Sequence, residues 1–503
     1  MTQKQSVIII GAGIGGLFCG AILSKEGYRV KIFEQHHIVG GGLHQFKREG
    51  VSFETGMHVV GAFQPNGVLN RICSYLGIMD KLSILPEDDD CFELFQIGCD
   101  NKKYAMPQGM EHFKESLIRE FPEEKENIEH YVKAIYDICD EVKHYNLEKE
   151  GDAMQLHSDH FMQSVGEFIN SFTQNERLRA VLALNNPLYA GEQYKTPVYI
   201  HALVSKLYIE SASRLVGGSQ QLADALAEVT IQAGGEVVAN NGVTHVEIEE
   251  KSIDHIITSD GEKHRADYYI SAIHPSSLFK LLDTSKLQRS YWTRIDAIPN
   301  SYSSFSLYII FKPDTFPFLN YTGYYQEDYT MTWSHDRYTL DTWPHGVMYI
   351  TPPKTLHDTF AEKMIVNCIM NFETVKQWEN TTVGKRGKEY EDFKRQCEEK
   401  IMKQLEKVFP NIRSCIQSVY SASPLTIRDY YNQKEGALYG VKKDCHNMEL
   451  SHISIRTKLN NLLLTGQNIS LHGILGVPLT AINTCAELVG MENLLDKINK
   501  HQY

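Results

Sequence analysis

The run Ser6–Leu23, SVIIIGAGIGGLFCGAIL, holds eighteen residues and no charge. Such a run can be a membrane span, the apolar part of a signal peptide, or a strand, turn and helix folded into a soluble core. Its length is just enough for a thin bilayer. Its internal pattern points elsewhere, because four aliphatic residues, Val7–Ile10, lead into Gly11, Gly13, Gly15 and Gly16. A signal peptide needs a basic flank and a small-residue cleavage site. Lys4 is the only nearby cation, and Glu26 and Arg29 follow without such a site.

The third reading accounts for each glycine. A parallel strand covered on both faces is a continuous apolar run, as VIII is. Gly11 then serves the tight turn out of the strand, Gly13 lets backbone approach a pyrophosphate, and Gly16 lets the helix lie close to the sheet. The amino terminus of that helix offers free N–H groups to phosphate oxygens. GYRVKIFE reads as the second strand and ends in Glu34, eighteen residues beyond Gly16, near the spacing at which a carboxylate meets a ribose hydroxyl. The run is read as a nucleotide cradle.

Length then matters: 503 residues exceed one ordinary core, so two or three domains are expected. The net charge of −13 argues against a nucleic-acid partner, since phosphate neutralisation needs a basic surface. Ten scattered cysteines without C-x-x-C spacing suit reduced thiols in a cytoplasmic protein, and no metal site is expected. Zinc-protease, P-loop and nucleophile-elbow motifs are absent from the sequence.

The fingerprint serves NAD and FAD alike, and the following residues favour the flavin. VGGGLHQF begins five residues after Glu34, and Gly40, Gly41 and Gly42 imply backbone close to a second part of the cofactor. EQHHIVGGGLHQFKREGVSFETGMHVVG resembles the amino-terminal segment of the phytoene desaturase, carotenoid isomerase and retinol saturase family of FAD-dependent oxidoreductases, with the retinol saturase branch nearest. More distantly it is similar to the flavin amine oxidase superfamily. LVGGSQQLADALAEVTIQAGGEVVANNGVTHVEI, ADYYISAIHP, SPLTIRDYYNQKEGALYG and LLLTGQNISLHGILGVPLTAINTCAELVG extend the likeness. One departure is Gly42, where many relatives carry arginine, serine or cysteine.

The resemblance implies an α/β fold in which a Rossmann-like FAD-binding domain, with a doubly wound parallel sheet, is interleaved with an α+β substrate domain. The FAD-binding parts are expected over 1–65, 214–275 and 423–503, and the substrate domain, with a helical cap, over 66–213 and 276–422. The implied FAD-binding set is Gly11, Gly13, Gly15, Gly16, Glu34, Gly41, Gly42, Leu43, Val243, Gly466, Gln467, Gly476 and Val477. The last segment also has a physical reading: a strand, a turn, and a helix with Pro478 in its first turn, whose dipole can face the electron-rich edge of a reduced flavin.

In the substrate half, residues 66–213 read mainly helical. MEHFKESLIREFPEEKENIEHYVKAIYDICDEVKHY carries apolar residues at three- and four-residue spacing. GDAMQLHSDH reads as a linker. SYSSFSLYIIFKPD alternates as a strand does, and FETVKQWENTTVGKRGKEYEDFKRQCEEKIMKQLEKVFP reads as a surface helix. The resemblance implies a hydrophobic polyene or isoprenoid substrate, with reduction, desaturation or redox-neutral isomerisation of carbon–carbon double bonds as alternatives. His58 and His201 match histidines of retinol saturase-like sequences and are the catalytic candidates; His472, Tyr430 and Tyr439 are secondary. An amine oxidase and a non-enzymatic prenyl-lipid escort protein are the competing readings. No second G-x-G-x-x-G supplies a nicotinamide domain, so the electron donor or acceptor is not specified. A peripheral membrane contact suits a greasy substrate.

Overall fold

Val7–Ile10 carry nothing but aliphatic side chains, and in the computed structural model they are buried at the centre of a five-stranded parallel sheet. The structure describes residues 4–149, 162–283, 287 and 289–501. GDAMQLHSDH, read as a linker, lies outside the described residues. The sheet order is Leu462–Leu464, Tyr268–Ser271, Ser6–Ile10, Arg29–Phe33, Glu236–Val238. Strand positions 270 and 463 and position 9 align in register across the three central strands. The helix Ile14–Lys25 follows the first strand, and Gly15–Ser24 are all buried, because it packs between the sheet, helix Gln220–Gln232 and helix Gly473–Val489. An antiparallel meander, Val243–Glu249, Ser252–Thr258 and Lys263–His264, lies beside this sheet.

A second sheet has seven strands in the order Ile416–Ala422, Ser303–Phe311, Lys363–Met370, Val347–Ile350, Thr322–Gln326, Glu93–Ile97, Lys102–Met106. All pairs are antiparallel except Thr322–Gln326 with Glu93–Ile97. One face, with Leu307, Ile309, Val366 and Cys368, packs on helix Lys388–Val408 through Ile401 and Leu405. FETVKQWENTTVGKRGKEYEDFKRQCEEKIMKQLEKVFP is a surface helix only from Lys388, preceded by two short turns; its charges face outward while Tyr390, Cys397, Ile401, Met402 and Leu405 form its buried stripe. The opposite face, with Tyr324, Phe95 and Met348, joins the same core as the parallel sheet and the cap.

The cap follows residue 109. Helices Met110–Glu120 and Lys125–Glu141 are separated at Pro122, which cannot donate to a continuing helix. Val165–Phe172, Glu176–Leu182 and Val198–Ser211 complete it. The stretch 66–213 departs from its mainly helical reading at Glu93–Ile97 and Lys102–Met106. The two form a local hairpin, and Glu93–Ile97 is fixed as a strand by its parallel pairing with Thr322–Gln326, more than two hundred residues away. Among the described residues, no helix is long and apolar enough to cross a membrane, and no group of three or more His, Cys, Asp or Glu could hold a metal.

Candidate active site

The first strand ends in a turn that glycine alone can make. Gly11 sits at φ +98°, and its N–H donates to the Phe33 carbonyl at 2.8 Å, tying the turn to the second strand. A Cβ on Gly16 would stand 2.1 Å from the Gly11 carbonyl oxygen, so helix and turn touch backbone to backbone. Gly13 is different: it has extended backbone, φ −68° and ψ 173°, and nothing lies within 4 Å of an added Cβ. It caps the helix without a side-chain hydrogen bond and with no acid in the first turn, so the terminal amides and the positive end of the dipole face open space. Glu34 stands beside this mouth. Its two oxygens accept from the backbone N–H groups of Ala12 and His36, both at 2.8 Å, which fixes the carboxylate while leaving further lone pairs for a sugar hydroxyl.

The second glycine cluster is laid directly against the first. The Gly40 N–H donates to the Ala12 carbonyl at 2.7 Å, Gly13 and Gly40 form a parallel bridge, and a Cβ on Gly41 would lie 3.1 Å from the Gly13 Cα. Gly42 is exposed with open space above it, so the side chain that many relatives carry there would project freely. Leu43 turns into the core, and its carbonyl accepts from Ser219 Oγ at 3.1 Å. Val243 opens its strand just after Asn241, whose N–H donates to the Glu34 carbonyl at 2.8 Å. It therefore lies on the Glu34 side of the mouth.

The carboxy-terminal segment closes the other wall. Thr465 N–H donates to the Ser271 carbonyl, and Gly466 turns at φ +99°. A Cβ on Gly15 would meet the Gly466 Cα at 3.1 Å and a Val477 methyl at 3.2 Å, which brings the two helix amino termini to one crevice. Gln467 is half-buried after the turn, and Gly476 is packed on Leu471. Helix Gly473–Val489 starts at His472 with neither a side-chain cap nor an acid in its first turn, and Gly473 is exposed to the crevice. Burial, helped by the Lys443 charge, lowers His472 to about 4, so a neutral imidazole stands at this helix terminus. The Tyr439 ring packs on it, with centroids 5.0 Å apart. Two uncapped helix termini, an open glycine step and a fixed carboxylate match a dinucleotide's anionic centre and ribose, and so the residues present fit FAD.

The candidate catalytic residues separate. His58 lies two positions beyond Gly56, whose added Cβ would meet the Gly42 carbonyl at 2.9 Å, so it borders the crevice. Its Nδ1 is 3.5 Å from Glu54 Oε2, with both side chains nearly enclosed, and it makes no hydrogen bond at that distance. Glu54 is itself held by the Ser219 N–H at 3.0 Å. His201 is elsewhere, within the cap. Tyr131 Oη lies 2.7 Å from its Nε2 and Tyr189 Oη 3.0 Å from its Nδ1, and burial lowers it to about 3. Both ring nitrogens are engaged, which is a structural arrangement and leaves none for a substrate. Tyr430 is exposed at the protein surface.

Sequence reasoning passed over Glu54, Glu93 and Asn185. Glu54 had a signal, a carboxylate four residues before the candidate histidine. Glu93 had a fainter one, a single charge inside CFELFQ. Asn185 had none. Glu93 and Asn185 line a small cavity between cap and second sheet, with walls that include Phe92, Phe95, Phe113 and Ile135. Tyr208 also lines it. The Tyr208 phenol feels both Tyr439 and Glu93, so it stands between the crevice and the cavity.

A family model described as flavin containing amine oxidoreductase matches residues 14–489. The chain is 26% identical to an all-trans-retinol 13,14-reductase of Macaca fascicularis over 98% of this chain and 86% of that protein. It is 23% identical to prolycopene isomerase 1, chloroplastic, of an Oncidium hybrid cultivar, over 98% and 85%. A solved structure of putrescine oxidase bound to putrescine superposes with a TM-score of 0.65 at 14% identity, covering 99% of each chain. With the crevice that fits FAD, this match over nearly the whole chain means that the protein belongs to the flavin containing amine oxidoreductase family and is an FAD-dependent oxidoreductase.

Proposed function

We propose that the protein reduces a carbon–carbon double bond of a hydrophobic polyene, the substrate lying between the crevice and the second sheet. The observation that carries this reading is the character of the small cavity that Tyr208 links to the crevice: its aromatic and aliphatic walls, with isolated polar groups, suit one end of a hydrophobic chain whose remainder runs toward the crevice. The retinol 13,14-reductase and prolycopene isomerase relatives, aligned over almost the whole chain, support the same substrate class. FAD, when bound, supplies two-electron hydride chemistry through N5 of its ring.

The chain's own residues do the rest. The paired glycine loops, Glu34 and the two helix termini hold and orient the dinucleotide. The apolar walls exclude water from the reacting carbons. Saturating the bond also needs a proton at the neighbouring carbon, and His58, at the edge of the crevice with Glu54 behind it, is our assignment for that donor. The domain division of the sequence reading, with FAD bound by 1–65, 214–275 and 423–503, is part of this proposal, as are Val243 at the adenine and Gln467 and Val477 at the ring.

Anaerobic mixing of the reduced protein with candidate polyenes tests the reading. Flavin re-oxidation in step with loss of one double bond supports it. An isomerised product with unchanged flavin favours isomerisation instead, and amine turnover with release of peroxide overturns it. His58→Gln should lower the rate of re-oxidation by roughly 100-fold or more while leaving the flavin spectrum unchanged.

A further inference from the structure

We propose that the cavity between the cap helices and strand Glu93–Ile97 receives the hydroxyl end of the substrate, held between the Glu93 carboxyl and the Asn185 amide, so that the substrate is a polyene alcohol and not a hydrocarbon carotenoid. The inference rests on the polyene reading above and narrows it.

The cavity is small. Its free volume of about 30 Å³ takes roughly two waters or one hydroxymethyl group and has no room for a ring. It is thus shaped for the end of a chain. Most of its lining is apolar, and the polar groups there are incompletely paired. Asn185 Nδ2 donates to Ser205 Oγ at 2.9 Å, while its Oδ1 is buried with no partner. If the amide is turned over, its NH₂ is left free instead, so one end of Asn185, a lining residue of the cavity, is unpaired either way. Glu93 is 93% buried by its relative exposure of 7%, and among the described residues Tyr324 is the side chain that donates to it, at 3.2 Å on Oε1.

Burial, and then the neighbouring Glu87 charge, pushes Glu93 up to about 8, so near neutral pH it is a carboxylic acid with one proton to donate. Glu87 has its own cation: Arg214 Nε meets its Oε1 at 2.7 Å, with both side chains fully buried. No spare cation therefore faces the cavity from that pair. A donor on Glu93 and an unsatisfied acceptor on Asn185 together match a group that accepts one hydrogen bond and donates another, which is an alcohol. A carboxylate ligand would meet the Glu87 charge and the Asn185 oxygen. An ether could accept but not donate. From this end the chain runs past Tyr208 toward Tyr439 and His472, which brings the polyene to the crevice.

The test uses the flavin-loaded protein and three probes: a polyene alcohol, its methyl ether and the corresponding hydrocarbon, each titrated by quenching of protein fluorescence. Wild type should bind the alcohol at least tenfold tighter than the other two. Glu93→Leu and Asn185→Leu should weaken the alcohol alone, by roughly tenfold to hundredfold. Glu93→Gln, which keeps a donor, should retain most of the preference. Flavin content and thermal unfolding report whether each variant folds, and the wild-type comparison stands even where a leucine variant does not. Equal binding of the three probes by wild type, or an equal loss for all three in the leucine variants, overturns this inference while the polyene reading survives. Failure of every polyene to bind overturns both.

Discussion

Replacing Gly13 by alanine separates the phosphate cradle from the rest of the fold. The residue has φ −68° and ψ 173°, which alanine adopts freely, and its Cβ would meet nothing within 4 Å. The flavin-free protein should therefore unfold within about 0.5 kcal/mol of wild type. The methyl group instead occupies the space in front of the uncapped helix terminus, where the pyrophosphate must reach backbone N–H groups. Holding the phosphate away forfeits about one charge-assisted hydrogen bond, about 1.5–3 kcal/mol. The Kd for FAD should rise roughly tenfold to hundredfold. Gly16→Ala is the contrasting variant. Its Cβ would stand 2.1 Å from the Gly11 carbonyl oxygen and 3.1 Å from Ala272 Cβ, so helix and turn must part and both stability and flavin are lost. The assay is a fluorescence titration of stripped protein with FAD, paired with thermal unfolding of the same stripped samples. A Gly13→Ala protein that is stable and binds FAD as wild type does would refute the placement of the phosphates. One that is unstable without flavin would refute the open space.

Glu34→Gln should cost the flavin-free protein about 1–3 kcal/mol as well as weakening FAD, because an amide can accept from only one of the Ala12 and His36 N–H groups; chemical denaturation of stripped protein measures it. His201→Phe should destabilise by about 1–3 kcal/mol through the stranded phenols of Tyr131 and Tyr189, yet leave the shape of the pH–rate profile unchanged. Burial holds His44, His274, His335 and His472 at about 4 and His201 at about 3. The unfolded chain protonates its histidines near 6.5, so the stability these five contribute is complete above that value and lost as pH falls toward about 4. The loss reaches about 1.4 kcal/mol per pH unit for each, and a denaturation midpoint that stays flat across the window would contradict it.

What the sequence disclosed follows from how far apart the contacting residues lie. The cradle is local: strand, turn, helix and Glu34 fall within thirty residues, and each glycine answers to one steric demand, so periodicity and spacing were sufficient. The strand Ser303–Phe311 was legible too, although it is buried on both faces where alternation suggested one. The pocket joins Glu93 of the second sheet to Asn185 and Tyr208 of the cap, and Tyr324, which donates to Glu93, reaches it only because two strands far apart in the chain pair. Glu93–Ile97 illustrates the cost. Its apolar residues suit a strand or a helix, and its parallel pairing with Thr322–Gln326 decides the matter. His201 shows the converse, for a histidine between two tyrosines in a helical core and a histidine at a crevice look alike until the fold separates them.

The fold shared with putrescine oxidase does not choose between an amine and a polyene alcohol, but the pH dependence of binding at Glu93 would. An ammonium group in the cavity needs Glu93 ionised, since a buried cation beside a neutral acid lacks its counter-charge. Its affinity would grow as pH rises through about 8, the value up to which burial and the Glu87 charge hold the proton on the acid. An alcohol uses the acid as its donor, so its affinity declines over the same range, by up to tenfold for each pH unit beyond the midpoint. The two slopes have opposite signs, and Glu93→Gln abolishes either one by removing the titrating group. Titrating the flavin-loaded protein with a polyene alcohol and with a diamine from about pH 7 to about pH 9 therefore reads the substrate class from a direction. Alcohol binding that strengthens with pH, or a slope that persists in Glu93→Gln, would remove Glu93 from the site.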